Sequence, residues 1–462
     1  MLFNSTSFIL IFLPISLVLY FLVPGKLKNA ALLAESLFFY AWGALRYLPL
    51  LLILVLADYL IARLVGSSKS RQTTKKTFLI LGIVLNIGLL AAFKYGSYLS
   101  ELIGRIGSGR LTFPDIVPLG VSYYTFKSVS YLCDVYRRRC DPEINLLDYA
   151  VYVLMYQQIL VGPIVRYVDI RDALKQKGPR YDSQRCADGL RMFVYGLAKK
   201  VVLADTVGLM WQELAGGSGI ALSQASSGLV WFAVVCYSLQ LYLDFSGYSE
   251  MSNGLSKIMG FDCKANFDYP YCAASLTQFW RRWHISLTEW FRDYVYIPLG
   301  GNRMGSARQM LNMLIVWVLT GMWHGSTGNF LIWGLFHFLF LLIEKYLLGN
   351  AMRKHRVFGR IVTLFVAVVG WGIFAAHGSV SATALLEKLF SFSGGISAVY
   401  FLRNYGVVFF LSVLVSGGIF KFFREKTSCP VWLENTFVIV LLAVSFAYVV
   451  GGTGNAALYA AF

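Results

Sequence analysis

The chain has 462 residues, of which 57% are hydrophobic and only 14% charged, against roughly 25% charged in soluble domains. With a mean hydropathy of +0.61, that composition excludes a soluble globular enzyme and points to a polytopic membrane protein. The net charge of +17 does not point to nucleic acid: the lysines and arginines sit in short loops between apolar stretches, as the positive-inside rule expects, and no basic domain with interleaved aromatics stands outside the spans.

In chain order, residues 7–23 form the first apolar stretch. Met1 to Thr6 carry no basic residue and no small-residue cleavage site follows, so this segment is expected to remain as a spanning helix. Lys26 and Lys28, then Lys69, Arg71, Lys75 and Lys76, then Arg137, Arg138 and Arg139 mark alternate loops. With the N-terminus outside, residues 7–23 enter, 30–42 leave, 48–65 enter, 78–93 leave and 116–136 return. The basic residues of 137–139 and of 166–185 both belong inside, yet only 149–163 lie between them. That segment carries Gln157, Gln158, Gly162 and Pro163 and is expected as a re-entrant dip. Broken backbone at membrane depth survives only where protein or a water-filled cavity shields it, so a cavity reached from the cytoplasmic side is expected.

Residues 190–211 carry Lys199, Lys200 and Asp205, which either face that cavity or mark a partly interfacial helix. Residues 229–245 return. Residues 247–303 are too polar to span and rich in Trp and Tyr, as short helices at the cytoplasmic membrane surface would be. Residues 310–323 rise about 21 Å, short of the ~30 Å hydrocarbon core, which places His324 below the far surface before the turn into 330–348. Gly321 and Gly325 either let helices approach closely or leave room for a substrate tail. Stretches at 361–376, 407–420 and 437–450 bring the expected total to about eleven crossings.

An ionisable residue at membrane depth is costly and marks a functional site by default. His324, in Gly321-Met322-Trp323-His324-Gly325, is such a residue, and histidine is the commonest general acid or base near neutral pH. His284, in Trp280-Arg281-Arg282-Trp283-His284-Ile285-Ser286-Leu287, is the second candidate. His337 either hydrogen-bonds within the bundle or assists catalysis. His355 reads as a solvated loop residue and His377 as interfacial. The seven cysteines are scattered without C-x-x-C spacing, so neither a zinc site nor a disulfide framework is indicated. No H-E-x-x-H and no G-x-S-x-G occurs. A histidine base activating a hydroxyl against a bound electrophile remains. Gln240 and Asp244 share a helix face, and Asp244 needs a partner. Arg281, Arg282, Arg292 or a histidine is expected to supply it, either in support of the base or as an Asp–Arg pair pinning the surface helices.

These residues carry a family resemblance. The run 240–254, the block Asn266-Phe267-Asp268-Tyr269-Pro270-Tyr271, the stretch 279–303 and residues 322–325 followed by 332–337 resemble the bacterial membrane-bound O-acyltransferases. The closest branch is the alginate O-acetylase type, which shares the ending Leu299-Gly300-Gly301-Asn302-Arg303. Residues 118–126, 162–166 and 1–22 match too, so the resemblance covers roughly residues 1–350. It implies an all-α bundle with re-entrant and surface helices around a central tunnel, forming one integral membrane domain over 1–462. It implies His324 and His284 as catalytic residues, with Asp244, Gln240, Trp323, Arg281, Arg282, Arg292, Asn302 and His337 lining or supporting the tunnel.

No metal and no tightly bound cofactor is expected. The resemblance implies that an acyl group, acetyl in this branch, passes from a cytoplasmic thioester (acetyl-CoA or the phosphopantetheine thioester of an acyl carrier protein) to an exported polysaccharide. An exported SGNH-type protein commonly completes the transfer, and the location implied is the bacterial cytoplasmic membrane. Three other readings stand beside it: a D-alanyl transferase to teichoic acid, against which the Gly300-Gly301-Asn302-Arg303 ending argues; a transporter with histidines as a proton relay, for which internal repeats are expected and none is seen; and a scaffold of an export complex. Residues 372–378 depart from the family pattern, with Ala375, Ala376 and His377 where an arginine often follows the aromatics.

Overall fold

The computed structural model describes residues 1–67, 71–106, 117–176, 181–215, 220–376, 380–419, 421 and 430–452. Among the described residues every regular element is a helix, apart from one isolated bridge between Ala225 and Ile396. The helices follow the apolar stretches, and two reach well beyond them. Residues 78–93 sit within the 35-residue helix Gln72–Ile106, and residues 229–245 within the 32-residue helix Ser227–Ile258. Among the described residues, seven helical segments are long and apolar enough to cross a membrane, fewer than the eleven or so expected. One of them, Gly25–Gly66, is two helices, Lys28–Ala44 and Leu48–Gly66, joined by the tight turn Leu45–Tyr47. The chain divides into two compact units, and Ser227–Ile258 gives its first turns to one and its last to the other.

The first unit comprises residues 1–193 and 249–264. The dip expected at 149–163 is here a broken helix. Leu146–Leu154 stops at Met155, and only the single turn Tyr156–Ile159 follows. Broken backbone exposes N–H and C=O groups that need partners in an apolar interior. The Tyr156 N–H donates to Ser36 Oγ at 3.0 Å, and the Gln157 carbonyl accepts from Ser252 Oγ. Gln158 Oε1 accepts from the buried Lys127 Nζ at 3.1 Å. Gly120, at φ 72°, comes so close that a Cβ there would lie 1.9 Å from the Ile159 carbonyl oxygen, so no side chain fits. The shield around this break is therefore protein.

The second unit comprises residues 194–248 and 265–462. Its helix Ser306–His324 has 19 residues, starting earlier than expected. At 1.5 Å per residue it rises about 28 Å, close to a full hydrocarbon core. The placement of His324 below the far surface therefore no longer follows from helix length. Gly328–Ile343 packs back against it at the glycines. A Cβ on Gly321 would meet the Phe330 carbonyl oxygen at 2.5 Å, and one on Gly334 the Trp317 carbonyl oxygen at 2.5 Å. A Cβ on Gly325 would meet the Phe330 ring at 2.5 Å. Close helix approach thus accounts for Gly321 and Gly325, with no space left over for a substrate tail.

The expected helix at 190–211 is interrupted by a π-helical turn, Lys199–Ala204. Within it the buried Lys200 Nζ lies 2.6 Å from Asp205 Oδ1 and 2.7 Å from Asp244 Oδ1. Asp244 therefore has Lys200 as a partner, a residue outside the expected set of Arg281, Arg282, Arg292 or a histidine. No signal in the sequence marked this contact, because it depends on which helices touch, and the π turn brings Lys200 to the helix carrying Asp244.

Candidate active site

A cavity of about 300 Å³ opens within the second unit, and both His284 and His324 line it. Its wall is built from the helices Leu276–Arg282 and Ile285–Phe291, the π turn Arg292–Tyr296, the helix Ser306–His324, and Trp333 and Leu341 from Gly328–Ile343. Trp280, Trp317 and Trp333 give it aromatic sides, and the exposed Arg281 and Arg292 reach it from the surface. Arg292 Nε donates to Asp293 Oδ1 at 2.7 Å, whereas Arg281 makes no ion pair among the described residues. Among the described residues the lining carries two arginines and no carboxylate.

His324 is the last residue of its helix and is buried. Its ring packs at 4.9 Å from Trp323, 5.1 Å from Trp333 and 5.0 Å from Phe374. His284 precedes the helix Ile285–Phe291 and has a left-handed backbone, φ 42°. Its Nδ1 lies 3.2 Å from Asn266 Oδ1, which also accepts from the Ser286 N–H at 3.2 Å and the Ser286 hydroxyl at 2.9 Å. Phe245 meets the His284 ring edge-on at 4.6 Å and Trp323 lies at 6.1 Å, so Trp323 touches both histidines. Burial pushes the His284 imidazole down to about 3, so the ring is neutral at cellular pH.

The helix carrying Arg281 is fixed at its start by a carboxylate that sequence reasoning passed over. Ser275 Oγ accepts from the Gln278 N–H, and Glu344 accepts from the N–H groups of Leu276 and Thr277 and from the Thr277 hydroxyl at 2.6 Å. These bonds satisfy donors that a helix start leaves unpaired and place a negative charge where the helix dipole favours it. Asn312 does similar work nearby, donating to the carbonyls of Leu299 and Gly301 at 3.2 and 3.0 Å. Asn266, Glu344 and Asn312 are polar residues that hold the site. Only Asn266 had a signal in the sequence, through the block that carries the family resemblance.

The other expected residues are not brought to the cavity. Arg282 is half-buried and outside the lining, and Asn302 is exposed on the loop that Asn312 holds. Gln240 is buried against Gly208, where a Cβ would lie 2.2 Å from its Nε2. Asp244 belongs to the Lys200 cluster. His337 touches the rings of Trp280, Trp317 and Trp333 at 4.8, 5.4 and 5.1 Å, but it does not line the cavity. Neither of its ring nitrogens has a hydrogen-bond partner among the described residues, so the expected bond within the bundle is not made. His355 is exposed, and His377 with the rest of 377–379 lies outside the described residues. Among the described residues no group of His, Cys, Asp or Glu is placed to hold a metal ion.

A family model of membrane-bound O-acyltransferases matches residues 34–385. The chain is 37% identical to a probable alginate O-acetylase of Pseudomonas aeruginosa, over 85% of this chain and 75% of that protein. It is 29% identical to the peptidoglycan O-acetyltransferase of Helicobacter pylori, over 99% of this chain and 97% of that protein. A teichoic acid D-alanyltransferase of Bacillus subtilis is 26% identical over 56% of this chain and 68% of that protein.

Proposed function

Because this chain belongs to the membrane-bound O-acyltransferase family, we propose that it carries acetyl groups from a cytoplasmic thioester to the hydroxyls of an exported polysaccharide. The observation that supports this reading is the shared cavity, with two histidines on its wall and two arginines at its surface. The acceptor oxygen attacks the thioester carbonyl carbon, the C–O bond forms as the C–S bond breaks, and the hydroxyl proton passes to His324 and then to the departing thiolate. Arg281 and Arg292 are suited to the phosphates of coenzyme A or of a carrier protein's phosphopantetheine. The volume is at the small end for ligand pockets, which suits a short acyl group.

The lining favours acetyl over a D-alanyl group, whose ammonium needs a carboxylate that the described lining residues do not supply. On this reading the protein lies in the bacterial cytoplasmic membrane with its N-terminus outside, and an exported SGNH-type protein completes the transfer beyond it.

Polysaccharide from cells carrying His324→Ala, measured for O-linked acetyl by mass spectrometry, is expected to lose acetylation at least a hundredfold while the protein keeps its normal abundance. Full acetylation in that variant removes His324 as the base. An alanyl group on the polymer in place of acetyl overturns the choice of acyl group.

A further inference from the structure

We propose that Asn266 is a positioning residue that locks His284 into the tautomer with its proton on Nδ1 and its lone pair on Nε2. The inference rests on the reading above that His284 works in the transfer. A backbone N–H can only donate, so the atom of Asn266 that meets the Ser286 N–H at 3.2 Å is the carbonyl oxygen, not the amide nitrogen. The Ser286 hydroxyl donates to that same oxygen at 2.9 Å. His284 Nδ1 lies 3.2 Å from that oxygen and farther, 3.5 Å, from the Ser286 hydroxyl, whose hydrogen already goes to Asn266. The nitrogen facing the acceptor oxygen is the donor, and a neutral imidazole has only one hydrogen to place.

The loop is built to hold this arrangement. His284 has a left-handed backbone at φ 42°, which a side chain adopts at a cost of order 1 kcal/mol and keeps only where its surroundings enforce it. The Asn266 carbonyl accepts from the Ile285 N–H at 2.9 Å while the Asn266 side chain holds Ser286, so one residue grips both sides of the turn. The consequence is chemical: at Nε2 His284 accepts a hydrogen bond and donates none. It can orient an acceptor hydroxyl or an amide N–H of the donor's arm, and the oxyanion must find its donors elsewhere.

Nitrogen NMR on the full-length protein labelled at histidine tests this directly, with the His284 signals identified by their loss in His284→Gln. A protonated Nδ1 and an unprotonated Nε2 are expected in the wild type, and a mixture or reversal in Asn266→Leu. A proton on Nε2 in the wild type overturns the proposal. Acetyl transfer from acetyl-CoA in membranes supplies the second readout. Asn266→Asp keeps the acceptor for Ser286 and Nδ1 but adds a negative charge that favours the imidazolium. The acid-side loss of activity is expected to move about 1–3 pH units towards neutrality.

Arg281, Arg292, Tyr296 and His324, the other charged or titratable groups on the cavity wall among the described residues, are unchanged in that variant. A residue that merely caps the helix would leave the profile where it was, and a profile for Asn266→Asp that superposes on the wild type therefore overturns the proposal. Asn266→Leu is expected to lower turnover at least tenfold; if it fails to accumulate, the wild-type spectrum and the Asn266→Asp profile decide. Full activity in His284→Gln is a different failure, because it removes the role of His284 itself.

Discussion

Lys200 is buried in an apolar bundle and holds two carboxylates within 2.7 Å. Removing the cation takes a buried charged partner from both Asp205 and Asp244, which costs about 3–5 kcal/mol by analogy with other broken buried pairs. Lys200→Met is therefore expected to lower the unfolding temperature of the detergent-purified protein sharply, and the further changes Asp205→Leu and Asp244→Leu in the same chain to restore much of it. A triple variant no more stable than Lys200→Met would show that the charges do more than neutralise one another. His337 presents the opposite case, a buried ring among tryptophans with no hydrogen bond from either nitrogen among the described residues. Phenylalanine keeps that ring packing. His337→Phe is expected to retain acetyl transfer within about twofold of wild type, and a loss as deep as that of His324→Ala would place His337 in the chemistry.

At the scale of elements, the site depends on a short helix, Leu276–Arg282, whose seven residues are too few to be stable alone. Glu344 gives it an anchor, and each charge-assisted bond is worth roughly 1.5–3 kcal/mol. Glu344→Ala is expected to reduce both the thermal stability and the acetyl transfer of purified protein, with Glu344→Gln between it and the wild type. Equal behaviour of the two variants would show that the carboxylate charge, not the accepting oxygens, holds the helix. The hairpin behind the cavity depends on close approach at Gly321 and Gly334. Gly334→Val is expected to force the two helices apart and abolish accumulation in the membrane, as judged by immunoblot.

The apolar stretches made most of these helices legible, because burial in lipid and in protein both select long runs of apolar residues. What periodicity did not carry was the π turn at Lys199–Ala204, the early start at Ser306 and the exact place, Met155, where the expected dip breaks. Those depend on side-chain partners distant in the chain, such as Ser36 for Tyr156. The two histidines were legible as expensive residues in an apolar setting. Their holders were not, since an asparagine or glutamate in isolation looks the same whether it caps a helix or faces water.

Across the whole molecule, an excess of positive charge combines with a cavity whose wall, among the described residues, has arginines and no carboxylate. On the proposed reading this wall captures a donor by its phosphates. The spent thiol, however, still carries every one of those phosphates after the acyl group has gone. The grip that speeds capture therefore delays departure, and free coenzyme A should compete with acetyl-CoA at nearly equal affinity. Where exit of the used carrier paces turnover, raising ionic strength should quicken the enzyme at saturating donor while slowing it when donor is scarce.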